Sequence, residues 1–179
     1  MRPGRPALGT RIQEHKMQTI KTLAIIAALG LGLSSAAIAG PDTNTTGGLA
    51  LDGTGLAMQM HGYDAVAYLT NSEPVIGSAD HSATYHDATY RFSNEENLKK
   101  FTAKPAKYAP QYGGYCAFGA SFGKKFDGDP RYWTIVDGKL YLNHSGKVLE
   151  RWRKKQSNRI AAADKHWPEI AQRTPAELQ

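Results

Sequence analysis

Cys116 is the only cysteine among 179 residues. As a thiolate it would attack peroxide or a disulfide, or bind a soft metal ion. Gly113-Gly114 just ahead of it would leave the sulfur accessible and bring backbone amides near it. The competing reading is a small buried hydrophobe between Tyr115 and Phe118. One cysteine excludes an intramolecular disulfide and any multi-cysteine zinc site. No Cys-x-x-Cys is present, so thiol–disulfide exchange would need a partner thiol.

Met58-x-Met60-His61 is a soft, copper(I)-friendly cluster, in which strand-like spacing would put Met58 and Met60 on one face. Asp64, His86, His144 and Cys116 complete the candidate ligands, for copper or another soft metal ion. The competing reading makes these ordinary core methionines and surface histidines. A small-ligand pocket would have Cys116 at its floor, with Tyr63, Asp64, Tyr112, Tyr115 and Trp133 around it. Gly119-Ala120-Ser121-Phe122-Gly123 fits the G-x-S-x-G expression, but that motif needs a buried strand before it and a helix after it. Here glycine-rich sequence precedes it and Lys124-Lys125 follows. No phosphate-binding loop, dinucleotide fingerprint or H-E-x-x-H is present.

The elements that would position these residues read as α+β, a single small domain of two short β-hairpins packed with several helices. Asp64 is the expected N-cap of a short helix over 65–69. Strands over 83–85 and 89–92 flank a turn at 86–88, with Tyr90 and Phe92 on one buried face. Ser93-Asn94-Glu95-Glu96 reads as a capping box opening a helix through Phe101. Pro105 restarts a helix that Pro110 limits. Asp137-Gly138 between two apolar runs is a type I′ hairpin signal. Ser145 is the expected cap of a helix carrying Val148, Leu149 and Trp152. The last helix is expected from about Asn158 to His166, ended by Pro168. No internal repeat is visible.

Residues 17–40 read as an export signal: Lys21, an apolar run over 23–33 too short to span a bilayer, and Ala37-Ile38-Ala39 before the expected cut. Met17 is a plausible true start. The expected organisation is a signal over 1–39, a flexible lead-in over 40–54, a domain over 55–168 and a tail over 169–179. The destination is the periplasm or the exterior, with no stable membrane span after cleavage. The formal net charge is +6, but without residues 1–39 there remain 17 basic and 15 acidic residues, a net of +2. That gives nucleic-acid binding little support. One basic cluster remains: Lys147, Arg151, Arg153, Lys154, Lys155 and Arg159. It reads as a solvated helix face or as a docking surface for an anionic partner or lipid.

GYDAVAYLT (62–70), YRFSNEENLKKF (90–101), Pro105 to Tyr108, QYGGYCA (111–117) and WTIVDGKLYLN (133–143) follow one another in an order that resembles the secreted YHS-domain proteins, in particular the YHS domain-containing (seleno)proteins. The resemblance covers roughly residues 55–168. It implies a small α+β domain and a secreted or periplasmic location. It also singles out Cys116, since some relatives carry selenocysteine at the matching position, which points to redox or soft-metal chemistry. The metal-associated YHS and TRASH-like domains use cysteines in a D-P-V-C turn and an F-C-S-x-x-C helix start. Those three positions are here Ala67, Ser93 and Asn97, so one chain has no thiolate cage.

Three functions follow as expectations. The first is a non-catalytic module binding a metal ion or small ligand at Cys116. The second is a thiol redox protein in which a partner thiol of the periplasm resolves oxidised Cys116; as an enzyme it would be a thiol-dependent oxidoreductase. The third is a protein- or anion-interaction module using the basic helix over 147–159.

Overall fold

The computed structural model describes residues 42–51 and 54–178; the expected export signal lies outside them. Two tight turns set the hairpins. Strand β2 (Ser78–Tyr85) returns as β3 (Ala88–Phe92) through His86-Asp87, and β4 (Asp129–Val136) returns as β5 (Lys139–Asn143) through Asp137-Gly138. All four turn residues have positive φ, from 48° to 72°, which matches the right-handed twist of the strands. A short β1 (Ala57–Met58) pairs in parallel with β3, giving a three-stranded sheet of order β1-β3-β2 beside the two-stranded β4-β5. The fold is α+β, as the sequence predicts. Because β3 is central, Thr89 is buried along with Tyr90 and Phe92, rather than one face alone.

The helices are α1 (Ala67–Thr70), α2 (Glu95–Ala103), α3 (Pro105–Tyr108), α4 (Ala117–Ala120), α5 (Gly146–Arg153) and α6 (Gln156–Ile170). No helix among the described residues is long and apolar enough to cross a membrane. The cap of α2 is Asn94, whose side chain accepts from Asn97 N at 2.9 Å. Ser93, the expected cap, turns to Asp64 instead, and Glu96 pairs with Lys100 at 2.7 Å. Ser145 holds the N-cap position of α5 without a side-chain bond. Pro168 does not end the last helix. It removes one backbone donor, but α6 runs on to Ile170 because Ala163 and Ile170 are buried and Lys125 Nζ binds the carbonyls of Ala171 and Arg173.

Strand β5 divides the core through the two-residue period of its side chains. Leu140 and Leu142 join Met60, Val66, Tyr68, Tyr90, Phe92 and Phe101. Tyr141 faces the other way, with Tyr112, Ala117, Leu149, Trp152 and Ala163. The stretch expected as a flexible lead-in is docked on this body over its described part. Asn44 N donates to Gly113 O at 2.8 Å, Asn44 Nδ2 donates to Gly114 O and Asp127, and Thr43, Asn44 and Ala50 are buried.

The chain is built twice, contrary to the expectation of no repeat. Gln59–Gly62 and Gln111–Gly114 are both 3-10 turns, and in each the last three residues have positive φ: 53°, 51°, 80° and 53°, 59°, 83°. Each is closed by a tyrosine amide, Tyr63 N to Met60 O at 2.9 Å and Tyr115 N to Tyr112 O at 3.0 Å. The next residues repeat the pattern: Asp64 N binds Val75 O and Cys116 N binds Phe126 O. Both hairpins then pair an eight-residue strand with a five-residue one, with a register break at the same place, Ser78/Ser82 and Asp129/Trp133. A helix follows each, anchored by fully buried Phe101 or Trp152.

Candidate functional site

This duplication places Cys116 where the first half carries Asp64. Asp64 is fully buried. Its Oδ1 accepts from Val66 N at 2.8 Å and Ala67 N at 3.3 Å. Its Oδ2 accepts from Ser93 N at 2.8 Å, Ser93 Oγ at 2.7 Å and Asn97 Nδ2 at 2.7 Å. A buried carboxylate needs such compensation for its lost water. Ala67, Ser93 and Asn97, which the sequence resemblance would match to metal-binding cysteines, therefore do converge. They converge on a carboxylate that uses up their donors.

Cys116 is 1% exposed. Burial pushes its thiol up, while the backbone N–H groups of Gly119, His144 and Phe118 pull it back. These three amides stand where Ala67, Ser93 and Val66 stand around Asp64. The side-chain donors differ. His144 replaces Ser93, and its ring turns away to Asp127, with Nδ1 3.2 Å from the Asp127 carbonyl oxygen. Val148 replaces Asn97. Asn143 replaces Phe92; it is fully buried, and its Oδ1 accepts from Cys116 Sγ at 3.8 Å and Phe118 N at 3.3 Å. The resting thiol thus has Asn143 Oδ1 as the acceptor for its proton, and Phe118 N shares that acceptor.

The other candidate ligands do not join it. The backbone becomes left-handed at Met60 and His61, so strand spacing stops at Met58. Met60 is buried in the core, while the Met58 sulfur lies over Gly62. His61 Nε2 is 3.2 Å from Asp127 Oδ1, and His86 Nδ1 is 3.5 Å from Asp42 Oδ2. Among the described residues no three His, Cys, Asp or Glu side chains come together as a metal site.

The expected pocket is dispersed as well. Tyr63 packs on the first core cluster, Trp133 meets Tyr68 edge-on at 5.2 Å, Tyr112 OH donates to Asp164 at 2.8 Å and Tyr115 OH donates to Thr43 O at 3.2 Å. On the basic face Arg153 donates to Thr134 Oγ1 and Trp133 O, and the Arg159 guanidinium lies over Phe118 and Phe122, 4.8 and 4.5 Å from the ring centres. Two of its six charges are thus engaged within the fold.

Three residues escaped sequence reasoning. Asn143 ends a strand and offers no local signal. Asp127 gathers Thr46, Asn44 and His61. Burial raises its carboxyl, but those hydrogen bonds and the nearby imidazole outweigh it and hold it below the ordinary range. Lys125 is 2% exposed, under the Tyr115 and Trp167 rings at 4.9 and 5.2 Å. Its ammonium holds the end of α6 by donating to the carbonyls of Ala171 and Arg173.

Lys125 gives a pH prediction. Burial pulls its ammonium down to about 8, against the opposing pull of Asp42 and Glu177. From roughly pH 8 to 10 the unfolded chain then holds a proton the folded one has released, so this lysine makes stability rise with pH. Cys116 and Tyr115, raised by burial, act in the opposite sense once their unfolded forms ionise. The difference between wild type and Lys125→Met isolates the lysine. Urea unfolding across this window should show wild type gaining on the variant as pH rises. A difference that does not change with pH would refute it.

Compared with protein-family models, curated proteins and solved structures, the chain matches none.

Proposed function

We propose that this chain is an exported, YHS-like thiol redox protein in which Cys116 is oxidised by a small peroxide and restored by an external thiol. The observation that carries this reading is the Cys116 thiol set against a fully buried amide, with Sγ donating to Asn143 Oδ1 at 3.8 Å. Burial raises this thiol, and the backbone N–H groups of Gly119, His144 and Phe118 oppose part of that rise. The thiolate sulfur attacks one peroxide oxygen and the O–O bond breaks. The products are Cys116–SOH and water, with sulfur oxidised and peroxide reduced. An external thiol then attacks the sulfenic sulfur, giving a mixed disulfide and water, and a second external thiol takes the outer sulfur as its own disulfide and returns Cys116 to the thiol. With no second cysteine in the chain, the resolving thiol comes from elsewhere. The lack of a three-ligand cluster among the described residues weighs against the metal-binding alternative.

Burial slows reagents at this sulfur relative to the unfolded chain. In the folded protein, peroxide with glutathione should give one glutathione adduct, read by intact mass, that is absent from Cys116→Ser. Iodoacetamide should react much more slowly than with the urea-unfolded chain. A wild-type thiol left unmodified by peroxide and glutathione while folded would overturn the proposal.

A further inference from the structure

The matched cradles assign a second oxidation state to this thiol. We propose that, when peroxide is present without a resolving thiol, Cys116 proceeds to the sulfinate and stops there, held by the donors that in the first half of the chain hold a carboxylate. This inference rests on Cys116 being a redox thiol and goes further by naming the anion the site is built for.

A sulfinate places two oxygens on an atom bonded to Cβ, as an aspartate does. The fold already shows how such a group is held. Asp64 presents one oxygen to the amides of residues 66 and 67 and the other to the amide of residue 93. At Cys116 the corresponding amides are those of Phe118, which donates to Asn143 Oδ1 at 3.3 Å, and of Gly119 and His144, and all three oppose the rise that burial gives the thiol. A bare sulfur occupies this frame with no oxygen of its own.

The second observation is Asn143. It is fully buried, its amide touches the sulfur through Oδ1, and its Nδ2 has no hydrogen-bond partner. An orphaned buried amide donor is costly unless some state of the molecule uses it. Beside a thiol, the asparagine offers its oxygen to S–H. Beside a sulfinate, which has no proton to give, its N–H₂ becomes the useful end. In the first half this position is Phe92, whose ring neither donates nor accepts, and there Asn97 and Ser93 supply the side-chain donors.

The chemistry balances with two molecules of hydrogen peroxide. The first converts Cys116–SH to Cys116–SOH and water. The second adds its oxygen to the sulfenate sulfur, breaks its O–O bond, and yields Cys116–SO₂⁻, a proton and water. A third oxygen would exceed the two-oxygen frame that Asp64 defines, so the sulfonate is disfavoured.

Two arms test this. In the first, folded wild type is treated with peroxide alone and followed by intact mass and peptide mapping. Two oxygens on Cys116 that persist under further peroxide are expected, and Asn143→Leu should shift the product to one or three oxygens. A wild-type product of one or three oxygens overturns the sulfinate site while leaving the redox function standing. No oxygen at all overturns both. In the second arm, Cys116→Asp places the carboxylate of the first half in the second cradle without any oxidation. At neutral pH it should melt about 4 °C or more above the isosteric neutral Cys116→Asn, and the advantage should vanish on acidification as the carboxylate protonates. Cys116→Asp melting at or below Cys116→Asn shows that the cradle does not hold a two-oxygen anion and also overturns the proposal.

Discussion

Replacing Asp64 by alanine lowers the free energy of unfolding by about 4 kcal/mol. The carboxylate takes five hydrogen bonds, two from the start of α1 and three from Ser93 and Asn97 at the start of α2. Removing it takes the acceptor from the amides of Val66 and Ser93, and leaves Ala67 N only the Asp64 carbonyl and Asn97 Nδ2 only Ser93 Oγ. Each unsatisfied buried donor costs about 1–3 kcal/mol, though such penalties do not add fully. Asp64→Asn keeps the shape and one acceptor but turns an N–H₂ toward existing donors, so it should recover only part of the loss. Equilibrium urea denaturation reads both. A loss below about 1 kcal/mol for Asp64→Ala would mean that water replaces the carboxylate and that the first cradle is not a buried structural centre.

Gly128→Ala should cost about 3 kcal/mol. A Cβ at this position would run into the carbonyl oxygen of Gly114 and come within 2.9 Å of Leu142 Cβ. Both neighbours are fixed, one by the second turn and the other by the β5 core. The matching Gly77 shows the same crowding, with Arg91 Cβ at 2.6 Å, so each half passes its hairpin at a position where only hydrogen fits. Gly138→Ala is the informative control. Gly138 has φ of 72° but no neighbour within 4 Å of an added Cβ, so only the left-handed backbone is penalised, at about 1 kcal/mol. Equal losses at 128 and 138 would show that close approach is not the cause.

Much of the fold was legible in local sequence. Asp137-Gly138 announced its hairpin because few residues accept two successive positive φ values, whereas the equivalent His86-Asp87 turn carries no glycine and was placed from the flanking strands alone. The cap of α2 was read one residue early. Ser93 has the right hydroxyl, but Asp64, distant in sequence, draws that hydroxyl away. Pro168 was read as a stop because proline lacks a donor, and the compensating contacts of Lys125 with the end of α6 lie far off in the chain. The repeat has a sequence signal: Gln-x-x-Gly-Tyr-x-Ala occurs at 59–65 and again at 111–117. It was missed because the matching hairpins share geometry more than residues.

By itself the sequence determined the α+β class, the two hairpins and the identity of Cys116 as the only thiol, since turn chemistry, two-residue alternation and cysteine number are local properties of the chain. Whether that thiol is open or closed, and what surrounds it, was decided only by tertiary structure. Asn143 reaches Sγ from the end of β5, 27 residues along the chain, and only folding brings the two together. Among the described residues the candidate metal and aromatic side chains lie apart, because the backbone turns left-handed after Met58 and the aromatics are engaged within the body of the fold.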